Sequence, residues 1–253
     1  MLVPDHEGVA NILINLAELY RAQGHYFKAI DQAQQALSIR EKALGKNHPD
    51  VASSLNSLGV ICRKQGRYVE AESLFRRALA ILEKSYGPAH PDLVTVLNNL
   101  APFYSREKMQ AKSEALYLRA ISITEKALGP DDLHLAVWLN NLADLYITEH
   151  QYLKAEPLCR RALSIRETRL GPEHPSVAYS LMTQAELCTG QKHYSQANEL
   201  YAHALAIREK SLGPNHPMIS KTLRKWALLL RKMHRKDDAI QLEARAQAML
   251  ATP

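Results

Sequence analysis

Histidine is the residue of this sequence whose type and spacing first suggest chemistry. Four of the eleven histidines stand directly before a proline at multiples of 42 residues from one another: His48, His90, His174 and His216. Imidazole nitrogens bind zinc at about 2.0–2.1 Å. Equivalent positions in stacked repeats lie ~10 Å or more apart, given the spacing of packed helices, so these rings do not share an ion. We therefore predict that these histidines form no metal site. We expect them instead to cap or pack the loop before the proline.

Other reactive groups give no catalytic pattern. The sequence contains no G-x-x-x-x-G-K-[ST], G-x-G-x-x-G, H-E-x-x-H or G-x-S-x-G motif. The three cysteines, Cys62, Cys159 and Cys188, are odd in number, far apart, and form no C-x-x-C pair. We expect a non-enzymatic protein that needs no cofactor, with reduced, buried thiols of the kind found in cytoplasmic proteins.

The elements that must position any binding residues form an internal repeat of 42 residues. The segment 45–50, Gly-Lys-Asn-His-Pro-Asp, returns as Gly-Pro-Ala-His-Pro-Asp at 87–92. Six copies account for nearly all of the 253 residues, which predicts a single repeat domain over 1–253. The predicted repeats span residues 6–47, 48–89, 90–131, 132–173, 174–215 and 216–253.

The residue pattern within each repeat predicts two helices. The leading segment carries leucine at one fixed place, with a small residue four positions later: Leu13, Leu55, Leu97, Leu139, Leu181 and Leu223. The trailing segment carries alanine at a fixed place: Ala36, Ala78, Ala120, Ala162, Ala204 and Ala246. Small residues allow two helix axes to approach within ~8–10 Å. The prediction is an all-α fold, a right-handed superhelical solenoid of six stacked antiparallel helix pairs, with these alanines buried.

The spacing Ala17, Tyr20, Gly24, Tyr26, Ala29 and Ala36 resembles the tetratricopeptide repeat, whose usual period is 34. The period of 42 and the strings at 97–101 and 78–84, Leu-Asn-Asn-Leu-Ala and Ala-Leu-Ala-Ile-Leu-Glu-Lys, are similar to the long variant of kinesin light chains and of many multidomain bacterial proteins. HEAT and armadillo repeats have a similar period but do not place small residues at these sites. The resemblance implies peptide binding on a concave wall formed by the first helices.

Asparagine and basic residues fall on that predicted wall. Asn56, Asn98 and Asn140 occupy one equivalent position, and an amide can donate to and accept from a peptide backbone. The alternatives are that these amides are solvated, or that they bond one another between repeats. The candidate peptide-binding residues are Asn56, Asn98, Asn99, Asn140, Asn141, Arg63, Lys64, Arg106, Lys221, Arg224, Lys225 and Arg231.

Charge predicts the chemistry of the partner. Residues 218–236 hold seven lysines and arginines and no acid, against a net charge of +6 for the whole chain. This favours a partner with an acidic segment, although a final repeat can also be polar for solubility alone. Nucleic acid is disfavoured, because phosphate contacts would be spread along the footprint and not confined to one end.

These features predict a cytoplasmic scaffold or adaptor that holds an extended, acidic protein segment. A regulatory or ligand-sensing arm of a larger multidomain protein is the alternative. Self-association through the first repeat, which has no preceding cap, is a third possibility. No apolar run approaches the ~20 residues that span a bilayer, so no membrane contact is expected.

Overall fold

The structure is a computed structural model that describes residues 7–214 and 216–251 of the chain. Within these ranges there are twelve α-helices and no β-strand. They are α1 Glu7–Ala22, α2 Tyr26–Leu44, α3 Pro49–Gln65, α4 Tyr68–Tyr86, α5 Leu93–Arg106, α6 Gln110–Leu128, α7 Leu133–Thr148, α8 Tyr152–Leu170, α9 Pro175–Gly190, α10 Tyr194–Leu212, α11 Pro217–Lys232 and α12 Lys236–Ala251. Odd-numbered helices are the first helices of the six repeats and even-numbered ones the second. The predicted all-α array of helix pairs is confirmed.

The chain divides into two compact halves, with the boundary inside α6. The N-terminal half is Met1–Ile123 and the C-terminal half is Thr124–Pro253. The arrangement of all six repeats in one right-handed solenoid stays a prediction. His6, Asn215 and residues 252–253, which the predicted repeat boundaries include, lie outside the described ranges. No helix in the described part of the chain has the length and apolar character required to cross a bilayer.

Four of the first helices, α3, α7, α9 and α11, begin at residues whose side chains cap the helix. The Nδ1 atoms of His48, His174 and His216 accept from the backbone N–H two residues on, at 3.2–3.3 Å. In the fourth repeat, Asp132 Oδ1 takes this place and accepts from the His134 N–H at 2.8 Å. These contacts satisfy N–H groups that a helix start leaves without partners. The predicted capping role of the loop histidines is confirmed for these three.

The turns between the two helices of a repeat require a left-handed residue. Gly66 supplies it with φ +90°. In the last four repeats the same place is filled by residues with a side chain, at φ between 58° and 66°: Lys108, His150, Lys192 and His234. A Cβ atom makes this conformation unfavourable by roughly 1–2 kcal/mol. All four of these turns are therefore strained, and tertiary packing must offset the strain.

Small residues lie where helices cross. The predicted alanines of the trailing segment are all fully buried: Ala36, Ala78, Ala120, Ala162, Ala204 and Ala246. In the leading helix α3, the small residue is Gly59, and a Cβ atom there would lie 2.7 Å from the Phe75 ring. Because no real side chain tolerates that approach, the backbone of α3 and the ring of Phe75 fit together only through glycine.

Three buried arginines fill junctions between repeats. Arg40 donates to Ser54 Oγ at 2.7 Å, to the Asp50 carbonyl at 3.0 Å and to Asn11 Oδ1 at 2.6 Å. The equivalent Arg208 donates to Thr222 Oγ1 at 2.5 Å and to the Met218 carbonyl at 3.1 Å. Arg166 repeats the pattern with Ser180. In each case a hydroxyl fourteen residues later accepts from the guanidinium, so arginine and hydroxyl form a unit.

Glutamate–arginine pairs connect the second helices of successive repeats. Four pairs share a separation of 36 residues: Glu41–Arg77, Glu83–Arg119, Glu125–Arg161 and Glu209–Arg245. The fifth place, opposite Glu167, holds His203. All four pairs are partly exposed, and each such pair contributes at most ~1 kcal/mol. Their main effect is to fix the register of one second helix against the next.

Enlarging Ala120 to leucine should overpack a helix crossing, because the side chain is fully buried. We expect Ala120→Leu to reduce the free energy of unfolding by ~1–3 kcal/mol, measured by urea denaturation. Ala115→Leu is the matched control on α6, since Ala115 is exposed. Equal denaturation midpoints for the two variants would show that Ala120 does not lie at a close helix crossing.

The arginine–hydroxyl unit is testable by a double-mutant cycle at Arg208 and Thr222. Thr222→Val alone leaves a guanidinium that is 1% exposed without its hydroxyl acceptor, so we expect a loss of ~1–3 kcal/mol. Adding Arg208→Leu reproduces the Leu82 and Val96 that occupy the equivalent places in the second and third repeats. The double variant should be more stable than the sum of the two single changes predicts. Additive losses would show that the two residues are not coupled.

Candidate functional site

The candidate binding surface is the exposed face of the first helices in each half. We call the exposed face of α1, α3 and α5 the N-face and that of α7, α9 and α11 the C-face. Side chains on these helices that pack neither on a second helix nor on the first helix of a neighbouring repeat are left at the surface. The twelve predicted site residues belong to these first helices, with different surroundings from one repeat to the next.

Asparagines of the N-face bond one another between repeats. Asn99 Nδ2 donates to Asn56 Oδ1 at 2.9 Å and to the Thr95 carbonyl at 3.3 Å. Both residues are half-buried, whereas Asn98 is exposed. The alternative that these amides bond one another is therefore confirmed for Asn56 and Asn99. Of this group, Asn98 presents a whole amide to solvent, and its role in peptide binding stays a prediction.

The predicted cations of the N-face also differ in surroundings. Lys64 is exposed, and Arg63 is half-buried with its Nε atom lacking a hydrogen-bond partner. Arg106 is exposed, with its guanidinium 4.2 Å from the centroid of the Tyr68 ring. A cation over an aromatic face keeps its outer N–H groups available. Lys64 and Arg106 can therefore meet a partner without losing an internal ion pair.

Asn140 does not lie on the surface, and its prediction as a peptide-contacting residue is wrong. It is fully buried, and its Oδ1 accepts from Ser180 Oγ at 2.9 Å and from Arg166. Asn140 differs from Asn56 and Asn98 because two partners bond its amide inside the fold. The second helix of the same repeat supplies an arginine, and the next repeat supplies a hydroxyl. Neighbouring Asn141 is half-buried and accepts from the Tyr179 hydroxyl at 3.4 Å.

The basic residues of the C-face fall into paired and unpaired groups. Lys225 forms an ion pair with Glu186, and Arg231 donates to both carboxylate oxygens of Glu243 at 2.6 and 2.8 Å. Lys221 and Arg224 are exposed and have no ion-pair partner among the described residues, and the same holds for Lys232. Three cations at this end are thus free to interact with a partner, and two are neutralised within the chain.

A carboxyl group lies below the C-face. Burial raises the pKa of Asp144 to about 6, and the nearby Glu186 carboxylate contributes to this rise while Lys225 opposes it. The Tyr179 hydroxyl donates to Asp144 Oδ2 at 3.3 Å, and Oδ1 is buried without a partner. This half-satisfied carboxyl is held beside a second acid, so its ionised form is costly near neutral pH.

An open apolar groove of about 550 Å³ lies at the far end of the C-face. Leu228, which is 61% exposed, stands at its edge, and the buried Tyr201 and Leu229 also line it. Gly190 allows the Tyr152 ring to stand at the wall, since a Cβ atom there would overlap that ring. Lys225 with its ion-pair partner Glu186, and Lys232, which has no such partner in the described part of the chain, complete this part of the lining. The arrangement suits an apolar side chain, with the Lys232 cation beside it.

Reactive groups are not arranged for metal or thiol chemistry in the described part of the chain. No group of three or more histidine, cysteine, aspartate or glutamate side chains there could hold a metal ion. All three cysteines are buried and free, as predicted. Burial raises the pKa of Cys62 to about 11 and that of Cys159 to about 12. Such thiols carry almost no reactive thiolate at neutral pH.

Sequence reasoning missed the acids and the tyrosine that shape the C-face. Glu186 and Asp144 occupy one equivalent position in adjacent repeats, 42 residues apart. Tyr179 contacts both Asn141 and Asp144. The spacing of the two acids is a signal that the sequence contains, but a charge count over residues 218–236 does not reveal which cations are neutralised by acids one repeat earlier.

The family model of the tetratricopeptide repeat matches four overlapping segments: residues 8–84, 50–126, 92–152 and 134–210. The chain belongs to the tetratricopeptide repeat family. No curated protein sequence matches it. Within the family it adopts the fold of kinesin light chain-like arrays, as the similar solved structures indicate.

Three solved structures illustrate this tetratricopeptide fold. BtubC (BKLC) from P. vanneervenii is 21% identical, with a TM-score of 0.68 over 92% of this chain and 91% of that one. The TPR-like repeats of a putative kinesin light chain from Podosopora anserina are 24% identical, with a TM-score of 0.71 over 81% and 98%. PilF of Pseudomonas aeruginosa is 19% identical, with a TM-score of 0.62 over 97% and 94%. At these identities the likeness concerns the fold alone.

The raised pKa of Asp144 makes stability depend on pH. In the unfolded chain an aspartate titrates near 3.9, so the folded state holds the proton more tightly and its contribution is present below about pH 4. That contribution is lost as pH rises through about 6. Relative to wild type, we therefore expect Asp144→Asn to gain of order 1–3 kcal/mol at pH 8 and nothing comparable at pH 4. Urea denaturation at both values measures this.

Asp131→Asn is the matched control, because Asp131 is exposed. Its difference from wild type should be small at both pH values. If Asp144→Asn differs from wild type by the same amount at pH 4 and pH 8, Asp144 is not the titrating group.

Proposed function

We propose that the chain is a non-enzymatic scaffold that holds an extended, acidic segment of a partner protein on the C-face. One observation carries the proposal: α11 presents three exposed cations without internal partners among the described residues, Lys221, Arg224 and Lys232. Lys232 also lines the open apolar groove. Membership of the tetratricopeptide repeat family supports a role in protein interaction. The buried, unpaired thiols support a reducing compartment such as the cytoplasm.

Exposed and buried contacts are expected to affect different steps of binding. Exposed cations speed the encounter with a negatively charged segment and contribute modestly to affinity, because water and salt screen them. Apolar contact in the groove and amide contacts slow dissociation. On the C-face Asn141 remains a proposed amide contact, and Asn140 is removed from the set because it is buried. Lys225 and Arg231 are expected to contribute little to partner binding, because each already forms an ion pair within the chain.

Charge reversal tests the proposal. A peptide library displayed on phage and selected on the full chain should yield sequences enriched in aspartate and glutamate. For a selected peptide, Lys221→Glu with Arg224→Glu should lower the association rate about tenfold or more at low salt, where the screening length is long. At ~1 M salt, where the screening length falls to ~3 Å, the rates of variant and wild type should converge. Stopped-flow fluorescence measures both.

Lys84→Glu with Lys126→Glu is the control, since it changes net charge equally at exposed lysines of second helices. This variant should change the association rate by less than about threefold, because its charges are on second helices and not on α7, α9 or α11. Selection of peptides without acidic enrichment, or equal effects of the two double variants, would overturn the proposal.

A further inference from the structure

One junction of the N-terminal half lacks the arginine that fills three equivalent junctions. Arg40, Arg166 and Arg208 each pair with a hydroxyl fourteen residues later. Between the second and third repeats, the same two places hold Leu82 and Val96. Neither of these side chains can donate or accept a hydrogen bond, and both are shorter than an arginine. The place that a guanidinium occupies elsewhere is therefore left unfilled.

A pocket of about 380 Å³ opens at this place, between α3 and α5. Its lining includes Leu82 and Val96, together with Ser53 and Asn56. Ser53 is the equivalent of Asn11, which accepts from Arg40, and Asn56 is the equivalent of Asn140, which accepts from Arg166. The acceptor positions that serve a guanidinium at other junctions are thus kept as polar residues here. The volume lies in the range of pockets that bind small groups.

The walls of the pocket are suited to a cation. Asp50 and Asp92 both line it. The other repeats have no such acidic pair, because the equivalent places hold Gly8, His134, Ser176 and Met218. Tyr86 also lines the pocket, where the equivalent residues are leucines: Leu44, Leu128, Leu170 and Leu212. A carboxylate accepts the two parallel N–H groups of a guanidinium, and a tyrosine face attracts its charge.

From this geometry we infer that the pocket between α3 and α5 binds an arginine side chain of a partner protein. The inserted guanidinium takes the place that three arginines fill at other junctions within the chain. Asp50 and Asp92 supply negative charge at its rim, and Tyr86, whose ring also stacks on His90 with centroids 4.5 Å apart, supplies an aromatic surface. Arginine fits better than lysine because its planar fork matches the carboxylate and stacks on the ring. The pocket lies in the N-terminal half, so it does not depend on acidic-segment binding at the C-face.

The test uses the full chain, labelled with ¹⁵N, and Nα-acetyl-arginine amide as the probe. We expect the backbone amide signals of Asn56, Ser57 and Thr95 to shift and saturate on titration. Nα-acetyl-citrulline amide has nearly the same shape without the charge, and it should bind about tenfold more weakly or worse, because it forms no charge-assisted pair. Equal binding of the two probes, or shifts confined to α7, α9 and α11, would overturn the inference. Tighter binding of free arginine than of the capped amide would indicate a small-molecule site and would also overturn it.

Two kinds of variant test the roles of the tyrosine and of the two carboxylates. Tyr86→Leu installs the residue that other repeats carry, and it should weaken arginine amide binding about threefold or more without loss of folding. Asp50→Asn with Asp92→Asn should abolish the preference for arginine over citrulline. Asp237→Asn with Asp238→Asn, on α12, is the matched charge control and should leave binding unchanged.

Filling the pocket from within gives the most direct comparison. Leu82→Arg with Val96→Ser recreates the arginine–hydroxyl unit of the other junctions. This variant should fold and should bind arginine amide about tenfold more weakly than wild type or worse, because its own guanidinium occupies the site. If it folds and binds with unchanged affinity, the pocket is not the arginine site. If it does not fold, the Tyr86 and Asp50–Asp92 variants decide the question by themselves.

Discussion

Close helix crossing at small side chains is the constraint on which the rest of this structure depends. A single pair of helices cannot bury its apolar face, so each repeat must pack on its neighbours. Alanine at the crossing points, fully buried in every repeat from Ala36 to Ala246, sets the distance between the axes. With that distance fixed, the outward positions of the first helices are left as a surface. The sequence can then vary on this surface without disturbing the packing.

Four junctions between repeats hold either an arginine with a hydroxyl or two apolar residues at the same pair of positions. Arg40, Arg166 and Arg208 are buried, and each has a hydroxyl to accept from its guanidinium. Burial lowers the pKa of Arg166 and of Arg208, which reflects the cost of removing the charge from water. Leu82 with Val96 avoids this cost but leaves a pocket. A departure from the repeat, and not the repeat itself, therefore creates this pocket.

The two faces have different electrostatic character. On the C-face, Lys225 and Arg231 are neutralised by acids of the same half, while Lys221, Arg224 and Lys232 are exposed. On the N-face, a carboxylate pair and a tyrosine surround a pocket that lacks its arginine. A count of charges along the sequence gives the first of these features approximately and misses the second. The count cannot tell a cation that is already paired from one that is not.

The sequence by itself determined what is local or strictly periodic. It determined the 42-residue repeat, the two helices in each copy, the buried alanines and the capping histidines, because each of these features recurs with the repeat. Only the tertiary structure decided that Asn140 is buried while Asn98, at the equivalent position, is exposed. The same is true of the pairing of Lys225 and of the pocket beside Leu82. These outcomes depend on side chains that meet across a junction from 14 to 43 residues apart, where each repeat differs from the next.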